Sequence, residues 1–260
     1  MSFRFRINAL ALAVALFAGS ASAAEPFNIC AEPDSLPLSR ESDRSGLELD
    51  VAQILADEMG RPLEVRWVAQ RDYAYFRQTL GTGACDAIMS VPAGFGRLTT
   101  TKPWYRTGFV FVGRQADGAP PASFDDERLS GMTVGVPVTG LGDGTPPMIA
   151  LAKRGRIDTM RSFSVYDPAS LMDAVARGEV DTGVLWGPFA GWLAADREVP
   201  LVLARAQARD GMTPFAFDIS IGLKKGNDTL RAELDRALEH RSAEIEAALA
   251  RWHIPHGQDW

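Results

Sequence analysis

Few side chains in this chain are placed to do chemistry. His240, His253 and His256 cluster near the end, but no fourth ligand and no metal-ligand spacing accompanies them, so they read as solvated surface and no metal is expected. No Ser, His and Asp set is spaced for nucleophilic catalysis, and the glycine-rich run Val138–Gly144 lacks the Lys of a phosphate-binding loop. The remaining candidates would bind, not react. Glu32, Gln70, Arg71 and Arg97 could hold a polar solute, with solvated surface charge as the alternative. Trp104, Tyr105 and Trp186 offer flat faces that suit an organic ligand or a protein anchor; packing between lobes is the other reading. Gly140, Gly142 and Gly144 could turn backbone N–H groups toward an anion beside a helix starting at Thr145. Asp143 would repel such an anion, so a plain turn fits equally well. The single acid–base pairing available to an enzyme is Glu32 with Arg97 or Asp143.

These residues sit at the ends of expected strands. Around Leu80–Arg106 the chain reads as a helix end, a glycine exit at Gly81 and Gly83, and an apolar strand from Asp86 to Val91. A turn from Pro92 to Gly96 and an aromatic re-entry at Trp104 and Tyr105 follow. In an open parallel sheet, ligands collect past the carboxyl ends of the strands, which is where this turn lies. The plan recurs 95 residues later: Gly83-Ala-Cys-Asp86 before an apolar strand and Pro92 is echoed by Gly178-Glu-Val-Asp181 before an apolar strand and Pro188. Two lobes on one plan, facing each other across a cleft, are implied.

The remaining elements follow from local signals. Phe27–Ala31 reads as a first strand, and Ser45 with Glu48 as the capping box of a helix carrying Leu47, Val51, Ile54, Leu55 and Met59 on one stripe. Leu63, Val65 and Trp67 alternate as a strand, and Asp72 can cap the next helix. Phe109–Val112 is a strand leading out of the lobe. In the second lobe, strands are expected at Met132–Pro137, Ile157–Phe163, Asp181 onward and Leu201–Ala204. Helices there are capped by Thr145-Pro146 and Asp167-Pro168, with a short one from Phe189. The strand Asp218–Leu223 and one long helix from Asn227 to Trp252 pack back on the first lobe. The fold is therefore α/β, with two doubly wound lobes joined by two hinge strands. The expected boundaries are residues 24–113 plus 217–260 for lobe 1 and 114–216 for lobe 2.

Residues 1–23 read as a targeting segment: Arg4 and Arg6, an apolar run from Ala9 to Ala18, then Ala21-Ser22-Ala23. Removing its two Arg takes the formal charge from -6 to about -8. No later apolar run approaches the ~20 residues a membrane span needs, and the acidic balance without a basic cluster argues against nucleic acid or anionic lipid as partner. Periplasmic export would suit a disulfide between Cys30 and Cys85, the only two cysteines. Bridging requires their strands to be neighbours; two buried free thiols are the alternative.

The sequence resembles the type II periplasmic solute-binding proteins, and within them the MxaJ/XoxJ subgroup associated with quinoprotein (PQQ) methanol dehydrogenases. The likeness is carried by Asn28-Ile-Cys-Ala-Glu-Pro-Asp34, Cys85-Asp86 with Val91-Pro-Ala-Gly-Phe95, Thr145-Pro-Pro147 with Ala150-Leu-Ala-Lys-Arg-Gly155, the run Asp173–Asp181, Leu185-Trp-Gly-Pro188 and Phe217-Asp-Ile-Ser-Ile-Gly222. It implies a bilobal periplasmic protein serving a PQQ-dependent alcohol or methanol dehydrogenase, with that enzyme as partner and its c-type cytochrome as a second candidate. A cleft ligand is also possible within this reading, and no cofactor is expected. Amino-acid receptors of the wider superfamily place an Asp five residues beyond the Asp that opens the lobe-two strand. Here that position is Trp186, and Arg97 stands in a turn without the usual Thr, so a free amino acid is disfavoured as ligand.

Three functions remain in play. A non-catalytic accessory protein of the dehydrogenase predicts a wide cleft without a full set of charge-matched groups. A receptor for an ABC importer predicts a closed pocket. A dehydratase-like enzyme needs an acid–base pair in the cleft, for which the candidates are weak.

Overall fold

The computed structural model describes residues 24–70, 74–139, 144–195 and 199–260. The targeting segment, the Asp72 cap, Arg71, Gly140 and Asp143 lie outside the described residues. In chain order the main elements are β1 (Phe27–Ala31), α1 (Leu47–Met59), β2 (Leu63–Trp67), β3 (Ala87–Pro92) and β4 (Tyr105–Arg114). Then come β5 (Val134–Val138), α2 (Pro146–Lys153), β6 (Met160–Ser164), α3 (Pro168–Arg177), β7 (Thr182–Trp186) and α4 (Gly187–Ala195). β8 (Leu201–Arg205), β9 (Ala216–Leu223), α5 (Asp228–His240) and α6 (Ser242–Arg251) complete the order.

One mixed sheet runs β2-β1-β3-β9-β4-β7-β5-β6. Its outer portions are parallel (β1 with β2 and β3; β5 with β6 and β7), as helical crossovers require. Its middle is antiparallel. There β4 does double duty: Tyr105 to Gly108 pair with β9, whereas Phe109 to Val112 pair with β7 and Val110 to Arg114 with β8. The strand starts earlier than its apolar run suggests, because Tyr105 and Thr107 are buried too.

Two sets of cores flank this crossing. In the first lobe Phe27, Ile29, Leu55, Met89, Ile221, Leu234, Leu238, Ile245 and Leu249 pack between the sheet and α1, α5 and α6. In the second, Phe111, Phe124, Val136, Leu151 and Val184 form one cluster, and Val112, Leu171 and Val175 another. Each fully buried Leu or Phe stabilises its lobe by about 1.5–3 kcal/mol, so each half carries its own hydrophobic anchor.

Local chemistry explains most element ends. Gly60 and Gly178 close α1 and α3 in the left-handed conformation, at φ 65° and 73°. Asp167 and Asn227 cap α3 and α5 through their side chains. Three local readings are corrected. The Ser45/Glu48 capping box does not form: Ser45 Oγ donates to Asp43, Gly46 occupies the cap position, and Glu48 is buried. Thr145 stands at the cap of α2, but its hydroxyl donates to the Pro137 carbonyl at 2.6 Å, tying the helix start to β5. The long C-terminal helix is two, broken at Arg241, whose guanidinium bridges Glu58 on α1 and Glu244 on α6. The apolar phase survives the break because Leu238 and Ile245 still face the same core.

The sequence echo is a structural repeat. Gly83 and Gly178 both take positive φ, at 75° and 73°. The next residue donates back in each case, Ala84 N to Thr79 O and Glu179 N to Ala174 O. The Asp three beyond each Gly then clasps the first strand of its own lobe. Asp86 Oδ2 accepts from Asn28 N at 2.9 Å, and Asp181 Oδ2 accepts from Thr133 N and Oγ1, both at 2.7 Å.

Candidate binding face and family

Cys30 lies in β1 and Cys85 just before β3, and pairing of Ile29 with Ala87 brings them together. They form a disulfide with Cα atoms 5.7 Å apart, buried among Tyr75, Leu80, Ile88 and Val91. The bridge ties down the strands whose carboxyl ends, with the end of β2, carry the candidate residues.

At that end Glu32 and Gln70 meet: the Glu32 carboxylate accepts from Gln70 N, and its carbonyl from Ser39 Oγ at 2.8 Å. Gln70 is exposed, as is Arg97 in the turn after β3. Below them lies a buried polar cluster the sequence reading missed. Glu48 is 7 % exposed, and burial lifts its carboxyl to about pH 7, with the Glu32 charge adding to the shift. The Ser90 hydroxyl beside it works against the shift. Tyr75 and Tyr105 hydroxyls are also pushed up, first by burial and then by Glu48. Among the described residues no cation acts on Glu48. The signal was present in the sequence: Glu48 shares a helical face with Val51, Ala52, Leu55 and Ala56, all buried.

The three aromatics separate. Tyr105 is buried at 7 % exposure and packs on Trp104, with ring centroids 4.3 Å apart, so it backs its neighbour and opens no face to the cleft. Trp104 Nε1 donates to the Met89 carbonyl at 3.1 Å, and the ring lines a groove of about 250 Å³ with Lys102, Leu238 and Ile245. Trp186 ends β7 and stacks edge-on against Phe109 and Phe217 at the crossing of the lobes. Beside Phe217 a second groove of about 270 Å³ joins Pro92 and Ala93 of the first lobe to Ala208 and Pro214 of the second. Its charged groups are the Arg106–Asp218 pair at 3.0 Å, which balance each other, and Arg209.

The histidines hold no metal cluster among the described residues. His240 pairs with Glu58 and His256 with Glu246. No helix of the described residues is long and apolar enough to cross a membrane.

Compared with known proteins, the chain matches no family model. It is 31% identical over 259 residues to protein MoxJ of Methylorubrum extorquens, covering 91% of this chain and 84% of that protein. The chain belongs to the MoxJ family. Solved relatives agree with this placement. XoxJ of Methylobacterium extorquens AM1, a periplasmic binding protein, superposes with a TM-score of 0.72 at 28% identity over 89% of this chain and 99% of its own. MxaJ from Methlophaga aminisulfidivorans MPT shares the fold at a TM-score of 0.79 and 24% identity, covering 89% and 100%. The architecture is thus the bilobal type II periplasmic binding fold, and the protein is periplasmic.

Proposed function

We propose that this MoxJ-family protein is a non-catalytic accessory protein of a periplasmic PQQ-dependent methanol or alcohol dehydrogenase, aiding its maturation or activation by binding the enzyme or a ligand in the inter-lobe cleft. The observation that carries the reading is the family likeness, which runs through 84% of the length of MoxJ. The cleft chemistry is consistent with it. Where amino-acid receptors set an Asp, Trp186 packs on Phe217, and the inter-lobe groove pairs its own Arg106 with its own Asp218. The candidate contact residues are Trp104 and Trp186, with Glu32, Gln70, Arg97 and Thr145 and with Tyr105 as support; Arg71, Gly140 and Asp143 are candidates from the sequence alone.

The dehydrogenase is to be expressed with this protein, without it, and with folded Trp104→Ala or Trp186→Ala variants. Truncating a buried aromatic anchor costs about 2 kcal/mol, so affinity should fall roughly thirty-fold and holoenzyme yield with it. Identical specific activity and PQQ content in every case, with no binding at tens of micromolar, would end this reading. Tight calorimetric binding of a common amino acid would favour an importer receptor instead.

A further inference from the structure

Beyond the two crossing strands, a third segment joins the lobes. After α6 the chain turns at His253, in the left-handed region at φ 53°, with Ile254 N donating to Leu249 O to close the turn. Its start belongs to the first lobe: Trp252 Nε1 donates to Asp50 on α1 at 2.6 Å, and Ile254 is buried in that lobe's core. Its end belongs to the second. Trp260 is 8 % exposed and packs with Val110, Ala190 and Ala216.

Between these anchors the segment follows the crossing strand. Thr107 Oγ1 donates to Pro255 O at 2.6 Å, and Gly257 N donates to Arg106 O at 3.1 Å. From the second lobe, Arg205 donates to His256 O at 2.9 Å and lays its guanidinium over the Trp260 ring, 4.9 Å from the centroid. The path is cut for the segment. A Cβ at Gly108 would stand 2.6 Å from Trp260 Nε1, and one on Gly191 of α4 would run into His253 O and Pro255. A side chain at either place would evict the segment.

We propose that residues 252–260 are a clasp that holds the two lobes in one relative orientation, with the Trp260 ring as its releasable end. The ring is the end that lets go because its indole N–H has no acceptor. Burial of that unpartnered group lowers the net gain of seating the indole, so packing and the Arg205 stack retain the ring. The backbone beside it is held by long contacts, Arg106 Nη2 donating to Trp260 O at 3.4 Å and Arg205 pairing with exposed Asp259 at 3.9 Å. The near end is held by a hydrogen bond to a carboxylate and by the first core. Opening of the cleft therefore requires withdrawal of Trp260 from the second lobe.

The test is a distance measurement between the lobes. Spin labels at Gln53→Cys on α1 and Arg161→Cys on β6, both exposed, leave the native disulfide intact. The otherwise wild-type protein should give one narrow distance distribution. Trp260→Ala should add a second population, at least tenfold more abundant than in the wild type. Trp260→Phe should restore the narrow distribution, because it fills the site and removes the unpartnered N–H. Should Trp260→Ala fail to fold, the double variant Thr107→Val/Arg205→Ala removes two of the segment's bonds while leaving the ring, and should broaden the distribution in the same sense. A broad distribution in the wild-type background, or a single narrow one in every folded variant, overturns the proposal.

Discussion

Replacing Glu48 by Gln should make the protein more stable at neutral pH and abolish part of its pH dependence. In the folded protein the Glu48 carboxyl holds its proton up to about pH 7, whereas an ordinary glutamate releases it near 4.5. Burial is the first cause, and nothing cationic among the described residues offsets it. The sign follows from linkage: the folded state binds a proton that the unfolded chain has released, so stability is fully present below pH 4.5 and falls as pH rises toward 7. The gap between 4.5 and about 7 corresponds to about 3 kcal/mol, reached above pH 7. Glu48→Gln keeps the shape and cannot ionise, so the gap between variant and wild type should be small at pH 4.5 and widen to about 3 kcal/mol by pH 8. The assay is denaturant unfolding followed by tryptophan fluorescence, at constant ionic strength, every half unit of pH. Carboxylates held low by their partners, such as Asp181 and Asp210, titrate in both proteins and cancel in the difference. Two parallel curves would refute the reasoning, since they would mean that the carboxyl is hydrated or paired in the fold.

Removing the disulfide by Cys30→Ser/Cys85→Ser should cost about 4 kcal/mol, the chain-entropy value for a loop of 55 residues; thiol titration of the denatured, unreduced wild type should find no free thiol. Asp181→Ala should cost about 2 kcal/mol by leaving Thr133 N–H without its acceptor. Thr133 also holds the Asp181 carboxyl below its usual range, so this contribution is present at neutral pH and lost on acidification through that lowered range. The stability gap between variant and wild type, read from denaturant midpoints, should therefore narrow as the pH drops.

What was legible in the sequence was what short-range chemistry decides. The Gly-x-x-Asp echo, the helix ends at Gly60 and Gly178 and the caps at Asp167 and Asn227 each depend on residues within one turn, and each is in place. The cysteine bridge needed one long-range fact, that β1 and β3 are neighbours, which the sequence posed as a condition and the pairing of Ile29 with Ala87 meets. Glu48 was misread because Ser-x-x-Glu is a local motif and its burial is a tertiary outcome. The break at Arg241 left no trace because the apolar spacing runs through it without a slip. Burial of Trp260 could not be read from its neighbours in the chain; the room for it is made by Gly108, over 150 positions earlier.

The paired clasps of Asp86 and Asp181 also say where this protein can tolerate change. Both lie at the amino ends of their strands, as do their partners Asn28 and Thr133, whereas Glu32, Pro92 and Trp186 sit at the opposite ends. Fastening and the proposed contact residues thereby lie at opposite ends of the strands of one sheet. Loops at the carboxyl edge, such as Gly94–Gly96, could be randomised in a library without touching the residues that start each lobe. Such a library would sample new specificities on a frame that need not be stabilised again for each one.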